Sequence, residues 1–236
     1  MKKVLLFLLS AFIITGNVLA ASAIKDKRNV KGFTRISYGV SGNLTVRIGP
    51  EFSVVLEGEE DDVERVITEV TGDRLVIKRE TFRFRFSDLD ERVDVYITLP
   101  ELEGLGVSGS GRAEIVDDIK DIDDLSLSVS GSGKLTTAGI EVDDLDCGIS
   151  GSGNILIQGE GSADRGDISI SGSGNYTGRD FEIDHLDVSV SGSGSCFCKA
   201  GDSLTARISG SGNITYRGNP RIDSRASGSG HIRSAD

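Results

Sequence analysis

Tryptophan is absent from this 236-residue chain, and aromatic residues of all kinds make up only 6% of it. Any core must therefore be built from Ile, Val and Leu rows rather than from stacked rings. No long run of Lys or Arg occurs, and the formal net charge is −11. Nucleic acid is gripped by clustered cations, so a nucleic-acid partner is not expected, and neither is an anionic membrane surface. The acidic balance suits cations, neutral glycans or simple solubility. Histidine falls to two residues, His185 and His231, and cysteine to three. Neither number suggests a metal centre built on paired histidines or a Ser-His-Asp arrangement.

What is present begins with a secretory signature. Lys2 and Lys3 precede an apolar run from Val4 to Ile14, broken only by Ser10, and Val18-Leu19-Ala20 or Ala21-Ser22-Ala23 then offers a cleavage site. The run is shorter than the ~20 residues a membrane span needs. No Cys follows it to carry a lipid, and no second stretch of spanning length occurs. Residues 1–23 are thus expected to be a signal peptide, and the mature chain to be exported to the periplasm, the cell surface or beyond, with no transmembrane span.

Glycine is abundant, at 31 residues, and its spacing is regular. The tetrapeptide SGSG begins at Ser108, Ser130, Ser150, Ser171, Ser191, Ser209 and Ser227. A period this short and this regular, roughly 20 residues, marks a solenoid, whose units stack only on their neighbours, and not a linker. With the first serine as position zero, position −1 is Val107, Val129, Ile149, Ile170, Val190, Ile208 or Ala226. Positions −3 and +5 are also mostly apolar, and polar residues fall between them, so both flanks read as β-strands. Same-sense strands at so short a period leave no room for crossover helices. The expected fold is all-β: a right-handed parallel β-helix with coils of about 20 residues and a bend at each SGSG. Seven coils would extend about 34 Å at the inter-strand spacing.

The alternation runs through the bend, which places both glycines of each copy on the inward side, where a Cβ would meet the opposite sheet. The pairs are Gly109 and Gly111, Gly131 and Gly133, Gly151 and Gly153, Gly172 and Gly174, Gly192 and Gly194, Gly210 and Gly212, and Gly228 and Gly230. The serines and position +4 then form outward ladders. Residues 24–107 lack SGSG but carry further strand candidates, with Ser41-Gly42-Asn43 as a degenerate half-motif. This segment is expected to supply irregular first coils and the cap a solenoid end needs, continuous with residues 108–236 as one domain. "FRFRF" (Phe82 to Phe86) offers Arg83 and Arg85 as a candidate anion or carbohydrate contact.

The pattern "PELEGLGVSGSG" (Pro100 to Gly111), followed by repeated SGSG coils after an N-terminal β segment, resembles the autotransporter-adhesin head GIN domain family. The resemblance spans about Val30 to the end of the chain. It implies a right-handed β-helix with GSG turns and a role in adhesion, and it brings no catalytic residues with it.

The chemistry offered by the residues themselves is sparse. Asp123, Asp143 and Asp184 share one repeat position and Asp124 and Asp144 the next. Such an acidic edge could bind Ca2+, or could simply keep the coil edge soluble. "IQGEGSADRGD" (Ile157 to Asp167) is the main break in the repeat. No catalytic residue is assigned, and no cofactor beyond the calcium alternative. Cys147, Cys196 and Cys198 fall on inward positions and are expected to be free thiols. The Asn-x-Thr triplets at Asn43, Asn175 and Asn213 follow from the turn position and carry no further meaning.

The reading is a secreted, non-catalytic solenoid that binds glycans or other envelope polymers. The alternatives are a polysaccharide lyase or hydrolase of pectin-lyase-like type, and a structural protein that self-assembles through open solenoid ends.

Overall fold

The computed structural model of the chain describes residues 23–80 and 92–235. The signal-peptide reading and the Arg83 and Arg85 contact lie outside those residues, Ala23 excepted. The N-terminal segment forms β1 (Ile24–Arg28), β2 (Arg35–Gly39), β3 (Asn43–Ile48), β4 (Ser53–Gly58), a short helix α1 (Glu60–Glu64), β5 (Val66–Thr71), β6 (Arg74–Arg79) and β7 (Asp94–Leu99). The repeat forms β8 (Gly104–Gly109), β9 (Arg112–Ile115), β10 (Ile119–Gly131), β11 (Lys134–Thr137), β12 (Ile140–Gly151) and β13 (Asn154–Ile157). It continues with β14 (Gly161–Gly172), β15 (Asn175–Gly192), β16 (Ser195–Gly210), β17 (Asn213–Arg217), β18 (Arg221–Gly228) and β19 (His231–Ser234).

The repeat is a parallel β-solenoid, as the period requires. Strands entering the bend stack in parallel in the order β8, β10, β12, β14, β15, β16, β18. Strands leaving it stack as β9, β11, β13, β15, β16, β17, β19, because β15 and β16 are long enough to serve both stacks. We call these the entry and exit sheets. Register holds through the motif, with Gly131, Gly151, Gly172, Gly192, Gly210 and Gly228 paired in succession. Between the sheets lie the apolar rows, such as Val129, Ile149, Ile170 and Val190, each no more than 2% exposed. Burying each such side chain stabilises by about 1.5–3 kcal/mol.

The two glycines of a bend serve different ends. Gly153 is buried, and a Cβ on it would lie 2.3 Å from Val129 Cγ1 and 2.8 Å from the Gly133 carbonyl oxygen. The second glycine therefore faces inward, but what it clears is the coil before it rather than the opposite sheet. Gly151 departs from the inward expectation. It is half-buried, has φ +113°, and a Cβ on it would lie 2.6 Å from the Gly131 carbonyl oxygen. That oxygen accepts a 2.8 Å hydrogen bond from the Ser152 amide, so the ladder continues around the corner with no backbone group orphaned.

The N-terminal segment caps the solenoid out of chain order. β2 and β3 make a coil whose Ser41-Gly42-Asn43 lies in register with Ser110-Gly111-Arg112. This coil lies between β8 and β9 on one side and β6 and β7 on the other, all parallel to it. Antiparallel strands then close the end, β5 on β6 and β4 on β7, with β1 on β4. Phe33 packs on Phe52 in this cap, ring centroids 5.0 Å apart. At the other end, among the described residues, β18 pairs with β16 alone, and Ile222 on it is 44% exposed.

Candidate binding surface

Because successive coils stack in register, any outward position of the repeat becomes a column of side chains one strand apart, roughly 4.8 Å. The serines of the bend are exposed throughout. On the exit sheet, position +4 carries Asn43, Arg112, Lys134, Asn154, Asn175, Ser195, Asn213 and His231 in register. The Asn175 amide nitrogen donates to the Asn154 amide oxygen at 2.9 Å, so part of this column is a hydrogen-bonded amide ladder.

The entry sheet carries the acidic columns. Asp124 and Asp144 are paired, but the next members of their column are Arg165 and His185. Arg165 donates to both carboxylate oxygens of Asp144, at 2.5 and 2.6 Å. These bonds hold the Asp144 carboxyl below the usual range. The break at "IQGEGSADRGD" thus runs from the end of β13 into β14, whose Arg165 neutralises Asp144 of the coil before it. His185 Nδ1 lies 3.0 Å from the Ser203 hydroxyl, and His231 is exposed. Asp123, Asp143 and Asp184 are neighbours of these paired residues on the same edge, flanked by the pairs Ile122 with Val142 and Ala163 with Ile183.

A second acidic column escaped the sequence reading. Asp146, Asp167 and Asp187 at position −4 are stacked in direct register. Partial burial, and then the charges of Asp146 and Asp187, push the Asp167 carboxyl above its ordinary value. The signal was there in the alternation: −4 is an even, outward position, and three successive copies place Asp in it. An open groove of about 540 Å3 runs along this column, lined by Asp146, Asp167 and Asp187 and reaching Arg35 and Glu103. It adjoins a second groove of about 260 Å3 in which Gly104, between Arg35 and Ser126, and Gly106, between Ser37 and Ser128, leave bare backbone. Among the described residues, no group of three or more acidic, His or Cys side chains could hold a metal ion. Other acids of the return edge serve the backbone: Asp118 accepts from the Gly139 amide at 2.9 Å and Asp117 from the Ile48 amide at 3.0 Å.

The cysteines belong to the core. Cys147, Cys196 and Cys198 are buried and free. Burial pushes the thiols of Cys147 and Cys196 well above their usual range, which removes the thiolate that reactivity needs. Tyr176 shares this pocket of sulfur. Its hydroxyl is buried with no hydrogen-bond partner, over Gly178, where a Cβ would lie 2.6 Å away. Among the described residues, no helix is long and apolar enough to cross a membrane.

Known proteins resemble the chain in fold first. A crystal structure of a putative adhesin from Bacteroides fragilis superposes with a TM-score of 0.82 at 23% identity, covering 90% of this chain and 97% of that one. A putative lipid binding protein from Parabacteroides distasonis gives 0.73 at 21% identity, covering 92% and 98%. A putative adhesin from Parabacteroides merdae gives 0.68 at 19%, with the same coverage. No curated protein matches the chain. The family model "Putative auto-transporter adhesin, head GIN domain" matches residues 32–220. That match takes in the capping coil and six of the seven SGSG bends, and the chain belongs to the head GIN domain family.

Proposed function

We propose that the protein is an exported, non-catalytic adhesin-like solenoid that holds extended polymers, glycans of the envelope or its surroundings, on its outward ladders. The observation that carries this reading is the register. Seven bends repeat the same outward serines at one-strand intervals, with polar residues beside them at position +4, and such a surface suits many weak contacts with a repeating ligand. Family membership supports the adhesin-like role. The non-catalytic part is supported by Arg165, the cation of the main break in the repeat, which is tied up in an ion pair with Asp144 of the coil before. A glycosidase needs two available carboxylates at a set separation.

A glycan array run beside a depolymerisation assay tests both parts. Retention of glycans without cleavage is expected. Turnover of any polymer overturns the non-catalytic reading, and an array with no retained glycan overturns the ligand class.

End-to-end assembly is a second reading, favoured by one observation: among the described residues β18 has no partner on its outer edge, and Ile222 on it is exposed. Sedimentation that finds a strict monomer at high concentration disposes of it.

A further inference from the structure

The two sheets differ in charge in a way the chain-wide balance conceals. Outward positions +4 to +8 of the exit sheet and of β3 beside it bring Arg47, Arg112, Lys134, Arg179, Lys199, Arg217 and Arg233 onto one face, against Glu114 at those positions and Asp94 on β7, which accepts from the Asn43 side chain. The entry sheet carries the aspartate columns instead. Each cation comes from a different coil, so no basic run exists to be read in the sequence. Stacking alone assembles the face.

Two groups stand out on it. Arg112 and Lys134 are register neighbours, both exposed, and line a groove of about 280 Å3 with Asn43, Thr45, Thr136, Gln158 and one carboxylate, Glu114. Further along, the Arg179 and Arg217 guanidiniums lie over the Phe197 ring, 4.5 and 5.6 Å from its centroid, one from the coil before and one from the coil after. Asp117, Glu182 and Asp180 lie beside Arg47, Lys199 and Arg217 at the border of the face. Among the described residues no carboxylate forms an ion pair with Arg112, Lys134 or Arg179. Between the groups, roughly three strand spacings apart, the face is uncharged: Asn154, Asn175, Ser195, Leu156 and Thr177.

We infer that the exit sheet is the ligand face, and that its ligand is an anionic polysaccharide whose carboxylates meet the two cationic groups while its hydroxyls meet the amide and hydroxyl columns between them. The inference rests on the proposed polymer-binding role and names the face and the ligand charge. Amides and hydroxyls between spaced cations suit a polyol that carries carboxylates among its hydroxyls. A single-stranded nucleic acid would call for a bare aromatic face on which bases stack, and Phe197 is already occupied by guanidiniums. A lipid surface would call for an exposed apolar patch, whereas Leu156 and Phe197 on this face are both half-buried.

The test uses the full chain and two double variants of equal charge change. R112S/K134S alters the exit sheet. R207S/R225S removes two exposed cations from the entry sheet. Binding of labelled polygalacturonate is measured at low and physiological salt, beside dextran, an oligothymidylate and phosphatidylglycerol vesicles. We expect polygalacturonate to bind more tightly than dextran and to weaken with salt. R112S/K134S should lose roughly fivefold and R207S/R225S stay within about twofold, with melting temperatures unchanged in both. Equal loss in both variants would mean net charge alone and overturns the assignment, as does tighter binding to the oligothymidylate or the vesicles. Binding of dextran but not polygalacturonate overturns this inference and leaves the polymer-binding reading standing. Failure of both polysaccharides removes the two together.

Discussion

A methyl carbon placed on Gly153 would lie 2.3 Å from Cγ1 of Val129, one coil earlier in the stack. Gly153→Ala should therefore destabilise the protein by about 2–3 kcal/mol through overpacking. Adding Val129→Ala should return part of that loss, because the clash is partly with a side chain. Gly151→Ala should cost about 2 kcal/mol or more and gain nothing from the same second change, since its conflict is with backbone and with φ +113°. Denaturant midpoints of the four proteins decide the matter; rescue of Gly151→Ala by the valine change would contradict the division of labour.

Asp167 stands between two like charges. Its folded-state pKa is raised, so the folded chain holds the proton more tightly than the unfolded one, and stability falls as pH rises from the ordinary carboxylate range through the raised value. Asp167→Asn should then stabilise the protein at neutral pH, by about 0.5 kcal/mol. The advantage should vanish in acid, below the ordinary carboxylate range, where the wild-type group is already neutral. Melting temperatures across pH measure both limbs.

The buried thiols should be silent. A thiol reagent at neutral pH should modify no cysteine in the native chain and all three in denaturant, and non-reduced mass should show no loss of two protons. Rapid labelling under native conditions would mean that the coils around Cys147 and Cys196 open readily.

Tyr176 carries a hydroxyl that burial has left without a partner. Tyr176→Phe should be stabilising by about 1 kcal/mol, because the unfolded state alone loses a solvated group. A destabilised variant would show that the hydroxyl has a partner after all, a bound water or a sulfur.

The repeat was legible because its physics is local. An apolar −1 row, a Gly-containing bend and strict alternation recur within each single coil, enough to dictate strands, stacking and core. The capping coil was legible only as strands. That Ser41-Gly42-Asn43 continues the stack depends on pairing β2 with β8, far along the chain, and on β6 and β7 arriving on the far side. No periodicity announces such an order. The acidic edge was half legible: Asp123, Asp124, Asp143, Asp144 and Asp184 share repeat positions, and Asp146, Asp167 and Asp187 share position −4, but that these last three crowd one another follows only from the pairing of β12, β14 and β15. Arg165 could not be assigned as the partner of Asp144 until those strands were adjacent.

The coil of β2 and β3 acquires both of its neighbours from the part of the chain that ends at Ile115. Every later coil adds to one end only. Assembly of this solenoid therefore has a direction. A chain that emerges N-terminus first during synthesis can complete a two-sided template before most of the repeat has emerged, and each new bend then has a finished edge to join. Losing the last coil should leave a shorter protein, whereas losing β6 and β7 should leave the growing stack without a start.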